Sequence, residues 1–124
     1  EKRMLSSMTP TIVEKDNKLY MTLGTPGGST IITSVIQTIL NVHEFKMSMH
    51  EAVNSARFHH QWMPDSIRIE SDRFDNKLKN QLLNDGYKLN DKGLIGRVDG
   101  ILIKSNKQLE AGADNRGDDM AIGF

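Results

Sequence analysis

Short β-rich runs at both ends of the chain, three helix signals between them and turn residues at the junctions together predict an α+β fold. In it, hairpin sheets carry packed helices. The expected order is two strands, two helices, a strand, a helix and two strands, within residues 1–124 as a single domain.

Thr11-Ile12-Val13 and Leu19-Tyr20-Met21-Thr22-Leu23 are β-branched or aromatic enough for strands. Lys15-Asp16-Asn17-Lys18 between them is a polar turn whose Asn tolerates positive φ, so the pair reads as a hairpin. Gly24-Thr25-Pro26-Gly27-Gly28 follows as a loop, then a helix with Ser29 or Thr30 as N-cap. Ile32, Val35, Ile36, Ile39 and Leu40 recur at three- and four-residue steps and predict one broad apolar face of a core helix. Ser48 and Glu51 form a capping box for a short second helix carrying Ala52, Val53 and Ala56. Arg57 to Trp62 reads as extended chain or loop ending at Pro64, with Phe58 and Trp62 expected to anchor it on the core. Ser66-Ile67-Arg68-Ile69-Glu70 alternates as a half-buried strand. A third helix from Asp75 to Asp85 should turn Leu78, Leu82 and Leu83 inward, with Gly86 just past its end. Ile101-Leu102-Ile103 and Gln108-Leu109-Glu110 flank Ser105-Asn106 as a second hairpin, and a polar tail follows from Asp114.

Composition narrows the function classes. Sixteen basic against 16 acidic residues give zero net charge, so there is no basic excess for nucleic-acid or membrane-surface binding. With no cysteine, a disulfide scaffold, a thiolate zinc site and a cysteine nucleophile are all excluded. The uncharged stretch from Leu19 to His43 is broken by Gly24, Pro26, Gly27 and Gly28 and cannot span a bilayer; it reads as the buried heart of the fold. Residues 1–10 lack the apolar run of a signal peptide, and a start at Glu1 rather than Met implies a processed or truncated chain.

Gly27-Gly28 at the mouth of the Ile-rich helix is the strongest candidate site. Adjacent glycines admit close backbone approach, and a helix start presents unpaired N–H groups and a positive dipole end, which suits an oxyanion or carboxylate. A plain strand-to-helix turn would use the same glycines, and neither a Walker loop nor a dinucleotide fingerprint is present. Ser6-Ser7 could hydrogen-bond a substrate carboxylate or form an ordinary solvated turn. His43, His50, His59 and His60 match no zinc spacing; His59 and His60, if extended, point to opposite faces. The seven methionines read as core filler, and Asp118-Asp119 as exposed tail carboxylates in preference to general acid/base residues.

Three ordered blocks, Leu5-Ser6-Ser7-Met8-Thr9-Pro10-Thr11-Ile12-Val13, Gly24-Thr25-Pro26-Gly27-Gly28-Ser29 and Arg57-Phe58-His59-His60-Gln61-Trp62-Met63-Pro64-Asp65, resemble those of the gamma-glutamyltranspeptidases. The ending Ala113-Asp114-Asn115-Arg116-Gly117-Asp118-Asp119, closing on Gly123-Phe124, is similar to that family's terminus, with Asn115 in place of the usual proline. The match is loose around Gly96-Arg97-Val98-Asp99-Gly100.

The resemblance implies part of an N-terminal-nucleophile hydrolase αββα sandwich, here the C-terminal portion of the small subunit made by autoproteolysis of a precursor. It implies that Ser6 and Ser7 bind the α-carboxylate of a γ-glutamyl group and that Gly27 and Gly28 form the oxyanion hole. The family's nucleophile is an N-terminal Thr whose α-amine is the natural base. That Thr lies upstream of the Leu-Ser-Ser-Met block, so this chain alone is expected to be inactive; Thr9 and Thr11 have no free α-amine. The expected substrates are glutathione and other γ-glutamyl compounds, with water, amino acids or peptides as acceptors and no cofactor or metal. The expected partners are the large subunit and the rest of the small subunit; no nucleic acid partner is expected. The setting would be periplasmic, secreted or cell-surface. The alternatives are a γ-glutamyl- or carboxylate-binding module without catalysis, a related acylase, and a structural fragment without a ligand.

Overall fold

The computed structural model describes residues 8–123; Ser6 and Ser7, the expected carboxylate-binding pair, lie outside the described residues. The chain divides into two compact units, one running to Asn54 and resuming at Gly96, the other Ser55–Ile95.

In the first unit, β1 (Thr11–Lys15), β2 (Lys18–Gly24), β6 (Asp99–Ile103) and β7 (Leu109–Gly112) form an antiparallel sheet in the order β1-β2-β6-β7. Asp16 and Asn17 both take positive φ (52° and 58°), which the two-residue turn of the expected β1-β2 hairpin needs. The β6-β7 hairpin closes on Lys104–Gln108, where Lys107 takes φ 68° and Asn106 Oδ1 accepts the Gln108 N–H at 3.0 Å.

Register sorts the side chains by face. The row Thr11-Leu23-Gly100-Gly112 and the row Val13-Met21-Leu102-Glu110 share one face. On that face α1 (Ile31–His43) and α2 (Met49–Asn54) bury Met21, Leu23, Val42, Met49, Ala52, Val53 and Val98. Met49 fits because Gly100 and Gly112 carry no side chain. A Cβ on Gly112 would lie 2.6 Å from the Met49 carbonyl oxygen, and one on Gly100 2.8 Å from its sulfur. The other face carries the row Ile12-Thr22-Ile101-Ala111, with Ile12 and Ile101 exposed among the described residues.

Helix α1 corrects the expected apolar face. Its buried positions are Ile31, Ser34, Thr38 and Val42, with Val35 and Ile39 half-buried, while Ile32, Ile36 and Leu40 stay exposed. The reason is close approach: a Cβ on Gly96 would lie 2.7 Å from Ser34 Oγ, so small side chains are selected there and the bulkier isoleucines turn away. Thr38 satisfies its buried hydroxyl by donating to the Ser34 carbonyl at 3.0 Å. The capping box on α2 forms as read: Glu51 N donates to Ser48 Oγ (3.1 Å), and Ser48 N donates back to the Glu51 carboxylate (2.9 Å).

α2 is also pinned across the sheet. Glu110 accepts the Met49 N–H at 2.5 Å and pairs with Lys104 Nζ. The Lys104 ammonium first, then the Met49 N–H, hold the Glu110 carboxyl below the ordinary glutamate range. A depressed folded-state value means stability that is present above that range and lost as pH falls through it. Glu110→Gln should therefore lower stability at neutral pH, and its deficit in urea titrations should close as pH drops from about 5 toward 3. An unchanged deficit at acid pH would assign the loss to packing alone.

The second unit contains β3 (Phe58–His59), β4 (Ile67–Ile69), α3 (Asn76–Asn84) and β5 (Leu89–Asp91), in a small sheet ordered β3-β4-β5. β3-β4 is antiparallel and β4-β5 parallel, with α3 in the crossover. β5 was not expected, because Leu-Asn-Asp carries no strand signal of its own and is recruited by pairing with Ile67–Ile69. Helix α3 starts on Asp75, whose side chain accepts the Lys77 N–H at 3.1 Å. It ends at Gly86 (φ 87°) with Tyr87 N donating to Leu82 O and Gly86 N to Leu83 O, the bond pair of a Schellman stop.

Several expected burials are corrected in this unit. α3 buries no residue; Leu78 and Leu83 are exposed and only Leu82 is half-buried, since strands of two or three residues offer too little sheet to cover a helix. Phe58 is exposed because strand alternation puts His59 inward, and Trp62, at φ 71°, is 77% exposed. Of the described methionines Met21 and Met49 are core and Met47 packs half-buried against it; Met8, Met63 and Met120 are exposed. Beside the buried Ile69 and Ile95, the interior of this unit holds polar groups. Glu70 receives the Arg57 N–H (2.9 Å) and the Ile95 N–H (2.8 Å), and buried Arg57 donates from Nη1 to the Ile95 carbonyl (2.9 Å).

Candidate active site

Strand β2 ends at Gly24, and the next three residues turn the chain into a single 3-10 turn, Gly28–Thr30, that feeds α1. Gly27 takes φ 143° and Gly28 φ 58°, both in the region that favours glycine. Their requirements differ. A Cβ on Gly27 would lie 2.7 Å from Thr30 Oγ1, whereas one on Gly28 meets nothing within 4 Å, so Gly28 is demanded by conformation alone. Thr30 occupies the N-cap position of α1 but does not cap it. Its hydroxyl donates to the Gly27 carbonyl at 3.0 Å, and its backbone N–H reaches the same oxygen at 3.2 Å. With that carbonyl held, Gly27 and Gly28 are exposed and their N–H groups have no hydrogen-bond partner among the described residues. The first turn of α1 carries no acidic side chain to compete for them.

The loop is braced from below. Thr25 is fully buried; its hydroxyl donates to the Pro26 carbonyl (2.6 Å) and accepts the Arg97 N–H (2.8 Å). Gly96, at φ 65°, lies under the loop, where a Cβ would meet Ser34 Oγ at 2.7 Å and Thr25 Oγ1 at 3.0 Å. Thr25 N donates to the Met8 carbonyl at 2.9 Å, so the residue following Ser7 in sequence is tied to the glycine loop. Across the sheet Gly24 pairs with Asp99, whose carboxyl is pushed up by partial burial despite accepting the Asp114 N–H at 3.2 Å.

Around the glycine pair the structure places Thr25, Gly96 and Arg97, none of which was singled out as a site residue from the sequence. Gly96 alone had a signal there, a glycine between Ile95 and an arginine outside any hairpin turn. The histidines do not converge: His43 lies on α1, His50 on α2, and His59 is buried while His60 is exposed. Among the described residues no group of His, Asp and Glu is placed to hold a metal ion.

The family model for gamma-glutamyltranspeptidase matches residues 1–124. The chain belongs to the gamma-glutamyltranspeptidase family. It is 41% identical over 124 residues to the glutathione hydrolase proenzyme of Escherichia coli (strain K12), covering 99% of this chain and 21% of that protein. Among solved structures, it superposes on a T380A mutant of the Helicobacter pylori gamma-glutamyltranspeptidase with a TM-score of 0.84 at 43% identity, covering 94% of this chain and 64% of that one. On the Pseudomonas nitroreducens gamma-glutamyltranspeptidase, solved in complex with L-DON, the TM-score is 0.87 at 39% identity, covering 99% and 65%. The chain therefore spans about a fifth of the curated proenzyme it matches, at 21% of its length. Its fold class is the α+β class of the N-terminal-nucleophile hydrolases, the four-stranded sheet with α1 and α2 being one β and one α layer of the αββα sandwich.

Proposed function

We propose that this gamma-glutamyltranspeptidase chain supplies the oxyanion-binding loop and the carboxylate-binding serines of an enzyme that cleaves γ-glutamyl amides such as glutathione. The observation that carries the reading is the exposed pair Gly27 and Gly28, held at positive φ at the mouth of α1 with N–H groups that have no partner among the described residues. Ser6 and Ser7 take the α-carboxylate of the γ-glutamyl group, a role supported by the Thr25 to Met8 hydrogen bond that ties the following residue to the same loop.

In this reading the nucleophile is an N-terminal Thr contributed by sequence outside these 124 residues. Its hydroxyl attacks the γ-carbonyl carbon and passes its proton to the α-amine. The carbonyl oxygen becomes an oxyanion facing the Gly27 and Gly28 amides. Collapse breaks the C–N bond, the amine leaves with the proton, and a γ-glutamyl ester remains for water, an amino acid or a peptide to attack. The large subunit and the remainder of the small subunit complete the site, in a periplasmic, secreted or cell-surface enzyme.

The purified 124-residue polypeptide should give no turnover of a chromogenic γ-glutamyl anilide above the blank. In an enzyme that contains it, Gly27→Ala should lower kcat by roughly 10²-fold, because the added methyl meets Thr30 Oγ1 and displaces one oxyanion donor. Turnover by the polypeptide alone, abolished by changing Gly27 or Ser7, would overturn the assignment of the nucleophile. Full kcat in the Gly27→Ala enzyme would overturn the oxyanion role.

A further inference from the structure

The C-terminal tail does not hang free of the site loop; one residue, Arg97, spans the two with its side chain and its backbone N–H. Arg97 directs its guanidinium into the tail, donating from Nε and Nη2 to both carboxylate oxygens of Asp119 and from Nη2 to Asp118. Its own backbone N–H donates in the other direction, to the buried Thr25 hydroxyl at 2.8 Å. The flanking residues are equally committed. Val98 N donates to Asp114 Oδ2 in the tail at 2.7 Å, and the Gly96 Cα lies 3.5 Å from where a Gly27 Cβ would be. Gly117 belongs to the same arrangement: a Cβ there would fall 2.2 Å from Arg97 Nε, so the guanidinium packs directly against the tail backbone at that position.

From this linkage we propose that Arg97 is a positioning residue for the Gly27-Gly28 loop, with Asp118 and Asp119 as its anchor. The physical sense is a two-ended strut. A planar guanidinium held by a bidentate carboxylate has a fixed orientation as well as a fixed charge. Holding its far end sets where the Arg97 N–H points, and that N–H sets Thr25. Thr25 in turn orients the Pro26 carbonyl through its 2.6 Å hydrogen bond, one residue before Gly27. A tail that carried its acidic residues only for solubility would not need paired bonds to a residue whose backbone braces the loop. The value of the loop position rests on the oxyanion reading given above; the strut itself is a statement about order and is tested without substrate.

The test is 15N relaxation and amide exchange on the 124-residue chain. In Arg97→Met, the order parameters of Gly27 and Gly28 should fall from the rigid range near ~0.85 toward ~0.6. The amides of Arg97 and Thr30 should exchange about 5- to 10-fold faster, the scale of a well-formed exposed charge pair. Arg97→Lys, which keeps the charge but not the fork, should recover part of the order. Asp118→Asn with Asp119→Asn should loosen the same glycines, and adding Arg97→Met to that pair should loosen them no further. Unchanged protection at Met21 and Val53 reports that the fold is intact in each variant. Loosening confined to the tail, with Gly27 and Gly28 as rigid as before, would overturn the proposal, as would additive effects of the two changes. None of these readouts involves turnover, so their failure and the failure of the Gly27→Ala assay are separate results.

Discussion

Glu70→Ala is expected to destabilise the Ser55–Ile95 unit by about 3–5 kcal/mol, the scale seen when one partner of a buried charged network is removed. The carboxylate is 3% exposed and does the work of three short strands that cannot hold the unit by themselves. Its two oxygens take the N–H groups of Arg57 and Ile95, residues at opposite ends of the unit. Truncation leaves both donors buried and unpaired, at roughly 1–3 kcal/mol each. It also leaves the Arg57 guanidinium, 1% exposed, with less negative charge in its surroundings. Glu70→Gln keeps one oxygen acceptor and should lose about 1–3 kcal/mol. Amide exchange at Ile69 and Ile95 reads this unit directly; protection within about 0.5 kcal/mol of the parent in the alanine variant would refute the account.

An effect of similar size, about 3–5 kcal/mol, is expected in the other unit for Asp114→Ala. Asp114 and Arg116 are ion-paired at 3.0 Å with side chains 0% and 1% exposed. Asp114 also accepts the Val98 N–H at 2.7 Å and the Arg116 N–H at 3.0 Å, while Arg116 donates to the Val53 carbonyl at 3.0 Å. The pair therefore joins the entry to β6, the segment after β7 and the end of α2. Arg116→Ala should cost a comparable amount, because it leaves the carboxylate buried without its cation. The double variant should cost clearly less than the sum of the two, since the unpaired charge is then gone. Urea unfolding followed by circular dichroism supplies all three values; additivity would mean that the two residues act independently.

These two networks also mark where sequence reading stops. Arg57, Glu70, Asp114 and Arg116 are residue types that normally sit in water, and nothing in their spacing announces burial. Asp114 and Arg116 are two residues apart, but the groups that hold them and Arg57 and Glu70 in place lie 13 to 63 residues away, as for Arg57 with Glu70 and Arg116 with Val53. The same distance problem hid β5, whose strand character comes from Ile67–Ile69, and the clasp of Arg97 on Asp118 and Asp119. On α1 the spacing was right for a helix but ambiguous in phase. Apolar residues occupy both the Ile31-Val35-Val42 side and the Ile32-Ile36-Leu40 side, and only the approach of Gly96 to Ser34 decides which is buried.

What the sequence determined by itself is what short-range chemistry controls. The β1-β2 turn needs only Asp16 and Asn17, which tolerate positive φ. The start of α2 needs only the reciprocal bonds of Ser48 and Glu51. The stop of α3 needs only Gly86. The family, too, was legible, because its ordered blocks are a property of the chain. The tertiary structure alone decided which carboxylates are buried, which face of α1 meets the sheet, and what braces Gly27 and Gly28 from beneath. Those outcomes depend on backbone approach and on hydrogen bonds between residues far apart in the chain, and such terms have no local signature until the elements are packed.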